Sequence, residues 1–251
     1  MSEERDKLIY ILPNLFTAAS IFFGVISIIS TLNGNFTKAI IFIFLSLIFD
    51  GLDGRVARLT NTTSKFGVEF DSLADIIAFG VAPAFLFYIV IGSEFGRVGS
   101  LLTAIYIIFG AIRLARFNVT TGTYDPSVFI GLPIPTAAIW LAVSIGVYLE
   151  YSFFVNLKFL YLICIGIISI LMVSNVRFPS FKKINLKKMN FYKVLIALIV
   201  ICSLFYIRPL ELTAILSTGY IVYGLSRGGY YLCTKRLCKR NKDTQWVLTE
   251  L

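Results

Sequence analysis

Histidine is absent from the 251 residues of this chain. With no imidazole, histidine-based catalysis and histidine-ligated zinc or haem are excluded, and the metal question narrows to oxygen ligands. Charge is also scarce. Charged residues make up 15% and hydrophobic residues 57% of the chain, whereas soluble domains average about 25% and about 45–50%. Mean hydropathy is +0.83. A soluble domain is excluded, and an integral membrane protein is implied. Cysteine numbers only four, with no CxxC spacing. Cys164 and Cys202 lie in apolar stretches and pack as small apolar residues, while Cys233 and Cys238 lie in a polar tail where reducing conditions disfavour a disulfide. There is no internal repeat, linker or low-complexity segment. A signal peptide is not expected, because apolar segments recur to the last part of the chain and the first lacks a small-residue cleavage site.

What is present is a series of long apolar runs. Segments of about 17–25 apolar residues suit helices that cross a bilayer. Eight are readable: Leu15 to Leu32, Ala39 to Val56, Leu73 to Ile91, Val98 to Ala115, Pro135 to Tyr151, Phe159 to Val176, Val194 to Ile207 and Leu212 to Leu225. They are continuous, not alternating, so an outer-membrane barrel is disfavoured. The expected fold class is all-α, a polytopic membrane helical bundle of about eight transmembrane helices. Residues 1–185 would form a six-span front. The hydrophilic stretch from Arg177 to Lys193 separates it from residues 186–251, which add two spans and a basic tail to the same membrane domain.

The basic residues orient this bundle, because short cytoplasmic loops collect Lys and Arg. With both termini placed in the cytoplasm, only Lys38, Arg97, Lys158 and Arg208 of the 23 basic residues fall on the far side. An N-in, C-in topology in the cytoplasmic membrane follows. The net charge of +9 resides in juxtamembrane loops with no soluble domain to present it. Anionic lipid headgroups are the simpler partner, and no nucleic acid is expected.

Against this background, four aspartates stand out within residues 50–75: Asp50, Asp53, Asp71 and Asp75. Carboxylates at membrane depth are costly and mark function. Asp50 and Asp53 are three residues apart, and Asp71 and Asp75 four apart, so each pair shares a helix face. The topology puts both pairs at the cytoplasmic ends of the second and third spans. Two facing helices would converge the four acids, whose repulsion cations would relieve. Hard oxygen ligands select Mg²⁺ or Mn²⁺, and four carboxylates suit a two-metal site. Around them, Gly54 and Gly67 leave room for a ligand against the backbone. Arg58 offers a fork of donors for phosphate oxygens, and Ser64 adds a hydroxyl. Each feature also has a plainer reading. An aspartate can pair with Arg55 or Arg58 as a structural ion pair, Gly54 and Gly67 can be helix-packing glycines, and Arg58 can mark the membrane boundary.

The pattern Asp50-x2-Asp53-Gly54-x2-Ala57-Arg58-x8-Gly67-x3-Asp71-x3-Asp75 resembles the signature of the CDP-alcohol phosphotransferase family at every defining position. The resemblance implies a membrane enzyme in which an alcohol displaces CMP from a CDP-linked lipid. It implies that Asp50, Asp53 and Asp71 bind metal, and that Asp75 contacts a metal and takes the alcohol's proton. Gly54, Arg58 and Ser64 would contact the nucleotide and phosphates. The entry to the first span, Pro13, Asn14 and Thr17, matches a family tendency, although a helix N-cap explains Asn14 equally well. A homodimer is also implied.

Further stretches resemble the bacterial membrane-integral branch whose acceptor is L-serine and whose donor is CDP-diacylglycerol. They are FDSLADIIAFGVAPA from Phe70, RLARFNV from Arg113, GLPIPTAA from Gly131 and VSNVRFPSFK from Val173. Free serine carries a carboxylate, which calls for a cation near the cleft. Arg113 and Arg116 lie level with the aspartates by topology, and Asn118 adds a hydrogen bond. Both arginines can equally be boundary anchors. Two alternatives remain: a sister transferase using glycerol phosphate or an inositol compound, and an ion-coupled transporter. A transporter would be expected to carry its acids near the bilayer midplane, often within inverted repeats.

Overall fold

The computed structural model describes residues 2–60, 62, 64–120, 128–179, 203, 205 and 207–228. Helix α1 (Ser2–Leu32) and helix α2 (Phe36–Leu59) form an antiparallel hairpin closed by a turn in which Gly34 has φ 74°. Lipid tails are as apolar as leucine, so helices in a bilayer are held by close packing and polar rungs. Three rungs join this hairpin. Ser27 Oγ donates to the Ala39 carbonyl at 2.8 Å, Ser20 and Ser46 share a hydrogen bond of 2.7 Å, and Thr17 Oγ1 donates to Asp53 Oδ2 at 2.7 Å.

Helix α3 (Lys65–Asp75) runs into a π-helical turn (Ile76–Val81) and then helix α4 (Ala82–Val90), making one continuous rod. A 3₁₀ turn (Gly92–Phe95) reverses the chain into helix α5 (Gly96–Thr120). Strand β1 (Val128–Ile130), helix α6 (Ile134–Glu150), the short α7 (Ser152–Val155), helix α8 (Lys158–Val173) and strand β2 (Arg177–Pro179) follow. The two strands pair antiparallel with Phe129 opposite Phe178. Helix α9 covers residues 209–228. Its start is tied to the end of α6, where Tyr151 Oη donates to Glu211 Oε1 at 2.5 Å. Farther along, Tyr220 Oη donates to the Pro179 carbonyl at 3.1 Å. The core lies where α4, α5, α6 and α8 meet around the π turn, with Phe79, Leu86, Tyr106, Leu141, Ile145 and Ile165 fully buried. Large apolar side chains such as Ile108, Phe159 and Ile170 point outward, as a lipid-facing surface requires.

The protein is thus a helical membrane protein. Among the described residues, three helical stretches are long and apolar enough to cross a bilayer: Leu12–Leu32, Lys65–Val90 and Gly92–Thr120. Helices α6 and α8 are apolar but shorter. Helix α2 is long, yet its second half carries Asp50, Asp53, Arg55 and Arg58. The expected seventh span, Val194 to Ile207, lies almost wholly outside the described residues, as do the boundary at 185/186 and the basic tail. Four details differ from the sequence reading. Helix α1 runs through Pro13 and Asn14, so Asn14 lies in the helix interior and is not an N-cap. The third span begins at Lys65, because Ser64 caps a helix that the apolar run alone starts at Leu73. The sixth ends at Val173, where Ser174 turns extended at ψ 161°. The strand pair is a small addition to an otherwise helical fold.

Candidate active site

The site is built where the end of α2, the start of α3 and the lower part of α1 meet. Ser64 is the N-cap of α3, and its Oγ accepts from the Gly67 amide at 3.0 Å. This cap satisfies one of the helix's free amides and leaves the positive end of the α3 dipole facing the cavity. The cavity, of about 210 Å³, is lined by Asn14 and Thr17 from α1, by Asp53, Gly54 and Arg58 from α2, and by Ser64, Gly67 and Asp71 from the α3 end. All six residues that the sequence reading assigned to a CDP-linked lipid therefore share one cavity wall. Pro13, Ala57, Thr62 and Val68 complete it. Thr62 escaped the sequence reading. It is buried and bonded to Thr60 at 2.7 Å, and nothing in a run of Thr and Ser residues singles it out.

The two glycines act differently. At Gly67 a Cβ would lie 3.2 Å from Ser64 Oγ and 3.5 Å from Asn14 Oδ1, so the bare backbone keeps α1 and the cap close. At Gly54 a Cβ would only touch the Arg58 guanidinium at 3.5 Å. Arg58 folds back along its own helix over Gly54, towards Asp53.

Asp50, Asp53 and Asp71 each turn one carboxylate oxygen to within 4.8 Å of the others. Asp75, the last residue of α3, stands beside Asp50 and flanks this group. Asp53 and Asp75 are buried, at 5% and 9% exposure. Asp71 Oδ1 and Asp75 Oδ1 are buried with no hydrogen-bond partner among the described residues. A buried carboxylate oxygen without a donor is costly, and four acids meet here, with Arg58 acting on Asp53 and Arg113 on Asp75. An all-oxygen, acid-rich set with orphaned oxygens fits a hard divalent cation. The donors could hold a metal ion.

The three residues expected near an acceptor part company. Arg113 of α5 is buried, acts electrostatically on Asp75, lies over the Phe117 ring at 5.4 Å and has an unpartnered Nε. Asn118 Nδ2 donates to Ser72 Oγ at 2.9 Å, tying α5 to the turn of α3 that carries Asp71. Arg116 is engaged elsewhere. Its Nη1 donates to the Val173 carbonyl at 2.8 Å, and its Nη2 to the Ile130, Ser174 and Met172 carbonyls at 3.2, 3.1 and 3.4 Å. It caps the last turn of α8 and holds β1 against it. Gly131 permits this convergence, since its φ is 77° and a Cβ would fall 2.3 Å from the Met172 carbonyl oxygen.

Fold and site together define a membrane-embedded helical protein with an acidic, metal-competent cavity beside a helix N-terminus and an arginine, a set suited to phosphorylated substrates. The chain belongs to the CDP-alcohol phosphatidyltransferase family, whose profile matches residues 10–168. It is 48% identical over 236 residues to the CDP-diacylglycerol–serine O-phosphatidyltransferase of Helicobacter pylori (strain ATCC 700392 / 26695), covering 94% of this chain and 98% of that one. The enzyme of that name from Bacillus subtilis (strain 168) is 37% identical over 172 residues, 68% of this chain and 92% of the relative. The archaetidylserine synthase of Methanothermobacter thermautotrophicus is 35% identical over 181 residues, 71% of this chain and 74% of the relative.

Proposed function

We propose that the protein transfers the phosphatidyl group of CDP-diacylglycerol to the hydroxyl of L-serine, giving phosphatidylserine and CMP. The observation that carries this reading is the cavity that brings Asp53 and Asp71, two members of the acid cluster, together with Arg58 and the α3 N-terminus. A pyrophosphate-linked donor needs that combination, because its two phosphates demand several cationic or N–H partners at once. The names borne by the relatives favour serine as acceptor, and the buried Arg113 beside Asp75 supplies a cation for the serine carboxylate.

Asp50, Asp53, Asp71 and Asp75 would hold two ions of Mg²⁺ or Mn²⁺, which when bound neutralise the pyrophosphate and the departing CMP. Arg58, the Ser64 hydroxyl and the α3 amides orient the donor phosphates. Gly54 leaves room for the Arg58 guanidinium and Gly67 keeps the cap and α1 close around the donor, and Asn14 and Thr17 border it from α1. Asp75 takes the proton of the serine hydroxyl as its oxygen attacks the β-phosphorus. The new phosphorus–oxygen bond forms as the bond to CMP breaks, so the proton resides on Asp75 and the negative charge on CMP. Asn118 and Arg116 set the end of α5 from which Arg113 projects.

The reading includes a cytoplasmic-membrane location with the site facing the cytoplasm, about eight spans with both termini inside, a C-terminal segment 186–251 belonging to the same domain, and a homodimer. The deciding experiment incubates purified protein with CDP-diacylglycerol, Mn²⁺ and one alcohol at a time, following CMP. Release with serine is expected. Release with glycerol phosphate or an inositol compound but not serine would replace the acceptor and keep the class. No release with any alcohol, together with cation-dependent flux into liposomes, would point to a transporter.

A further inference from the structure

The rod that carries Asp71 and Asp75 is not a regular helix. Immediately after Asp75 it widens into the π turn Ile76–Val81, where the Ala82 amide reaches back five residues to the Ile77 carbonyl. The cause lies four residues beyond Phe79. Pro83 has no amide hydrogen and its ring crowds the carbonyl four residues earlier, which is that of Phe79. A carbonyl displaced in this way inside a core needs another donor. Tyr106 of α5 provides it, donating from Oη to the Phe79 carbonyl at 3.2 Å, and both residues are fully buried. Helix α1 also presses on this turn, since a Cβ on Gly24 would lie 2.9 Å from Ala78 Cα.

A π turn accommodates about one extra residue, so it rotates the helix before it relative to the helix after it by about 100°. The acids of α3 and the core face of α4 are therefore set in phase by this turn. Resting on the functional reading above, we propose that Tyr106 is a positioning residue: by holding the Phe79 carbonyl that Pro83 displaces, it stabilises the π turn that aims Asp71 and Asp75 at Asp50. Tyr106 is not part of the cavity wall, and among the described residues its hydroxyl bonds the Phe79 carbonyl and no acid, so its effect reaches the site through the helix.

The test uses the full-length protein in detergent with three variants. Tyr106→Phe removes only the hydroxyl. Pro83→Ala returns an amide donor to Phe79 and favours a regular helix, and the double variant combines both. Mn²⁺ binding is read from the electron paramagnetic resonance signal of free Mn²⁺, alongside thermal unfolding and the kinetics of CMP release. Tyr106→Phe is expected to weaken Mn²⁺ binding and lower kcat by about tenfold or more, with little change in donor KM, since small misplacements of catalytic groups are costly. In the double variant unfolding temperature recovers while Mn²⁺ affinity and kcat stay low. Unchanged Mn²⁺ binding and kcat in Tyr106→Phe would overturn the proposal. So would recovery of affinity and rate with stability in the double variant, which would reduce Tyr106 to a generic core contact. If the wild type releases no CMP, the functional reading fails, while the Mn²⁺ titration still decides the role of Tyr106.

Discussion

The hydroxyl of Thr17 in α1 donates to the carboxylate of Asp53 in α2 across 2.7 Å, in a buried setting. One acid of the cluster is thus held from a neighbouring helix, which makes Thr17 a partner of an acid as well as a wall of the cavity. Removing a hydrogen bond to a charged group costs about 1.5–3 kcal/mol. Thr17→Val is expected to weaken Mn²⁺ affinity by about tenfold to a hundredfold, and Thr17→Ser to retain most of it. Equal affinities in the two variants, measured by Mn²⁺ titration, would separate Thr17 from the acid.

Asp75 is the buried acid flanking the other three and carries an unpartnered oxygen. Asp75→Asn keeps the shape and removes the proposed base. Turnover should drop by about 10²–10⁴-fold, the usual worth of a positioned base, with CDP-diacylglycerol binding preserved. Full activity in CMP-release assays would refute the role.

Chelation tests the acid cluster as a whole. EDTA should abolish CMP release, and Mn²⁺ or Mg²⁺ should restore it, because orphaned carboxylates without a cation repel both one another and the donor phosphates. Retained turnover after exhaustive chelation would refute metal assistance.

Gly67→Ala places a methyl 3.2 Å from Ser64 Oγ and 3.5 Å from Asn14 Oδ1. The cap and α1 must each yield by a few tenths of an ångström, and the cavity narrows. Donor KM should rise about threefold to tenfold while unfolding temperature changes little, since packing errors of this size cost about 1 kcal/mol. A change in kcat alone would argue against a donor-side contact.

Arg113 and Arg116, three residues apart, should behave differently. Arg116→Ala strips several backbone carbonyls at the α8 end of their donor and should lower stability by about 2–4 kcal/mol, seen as a lower unfolding temperature. Arg113→Gln should mainly raise serine KM and leave donor KM unchanged. Identical profiles for the two variants would contradict this division.

Much of the candidate site is legible in the sequence. The acids, Gly54, Arg58 and Gly67 are close in the chain, and helical spacing alone places them on common faces. Ser64 enters the sequence reading as a hydroxyl donor and not as an N-terminal cap, although a Ser ahead of an amphipathic turn is a usable signal. The pairings of Arg116 with the α8 carbonyls and of Asn118 with Ser72 join residues 46 to 58 positions apart, and no local pattern foretells which donor meets which acceptor.

The sequence by itself determined the membrane class, the helical fold and the acidic cluster, because hydropathy and helical periodicity are local properties written along the chain. Tertiary structure alone decided that Arg116 staples a helix end while Arg113 lies near Asp75, and that Thr17 answers to Asp53. It also decided that a proline eight residues beyond Asp75 sets that acid's aim through Tyr106. Those outcomes depend on which side chains meet across helices, a matter of packing in three dimensions.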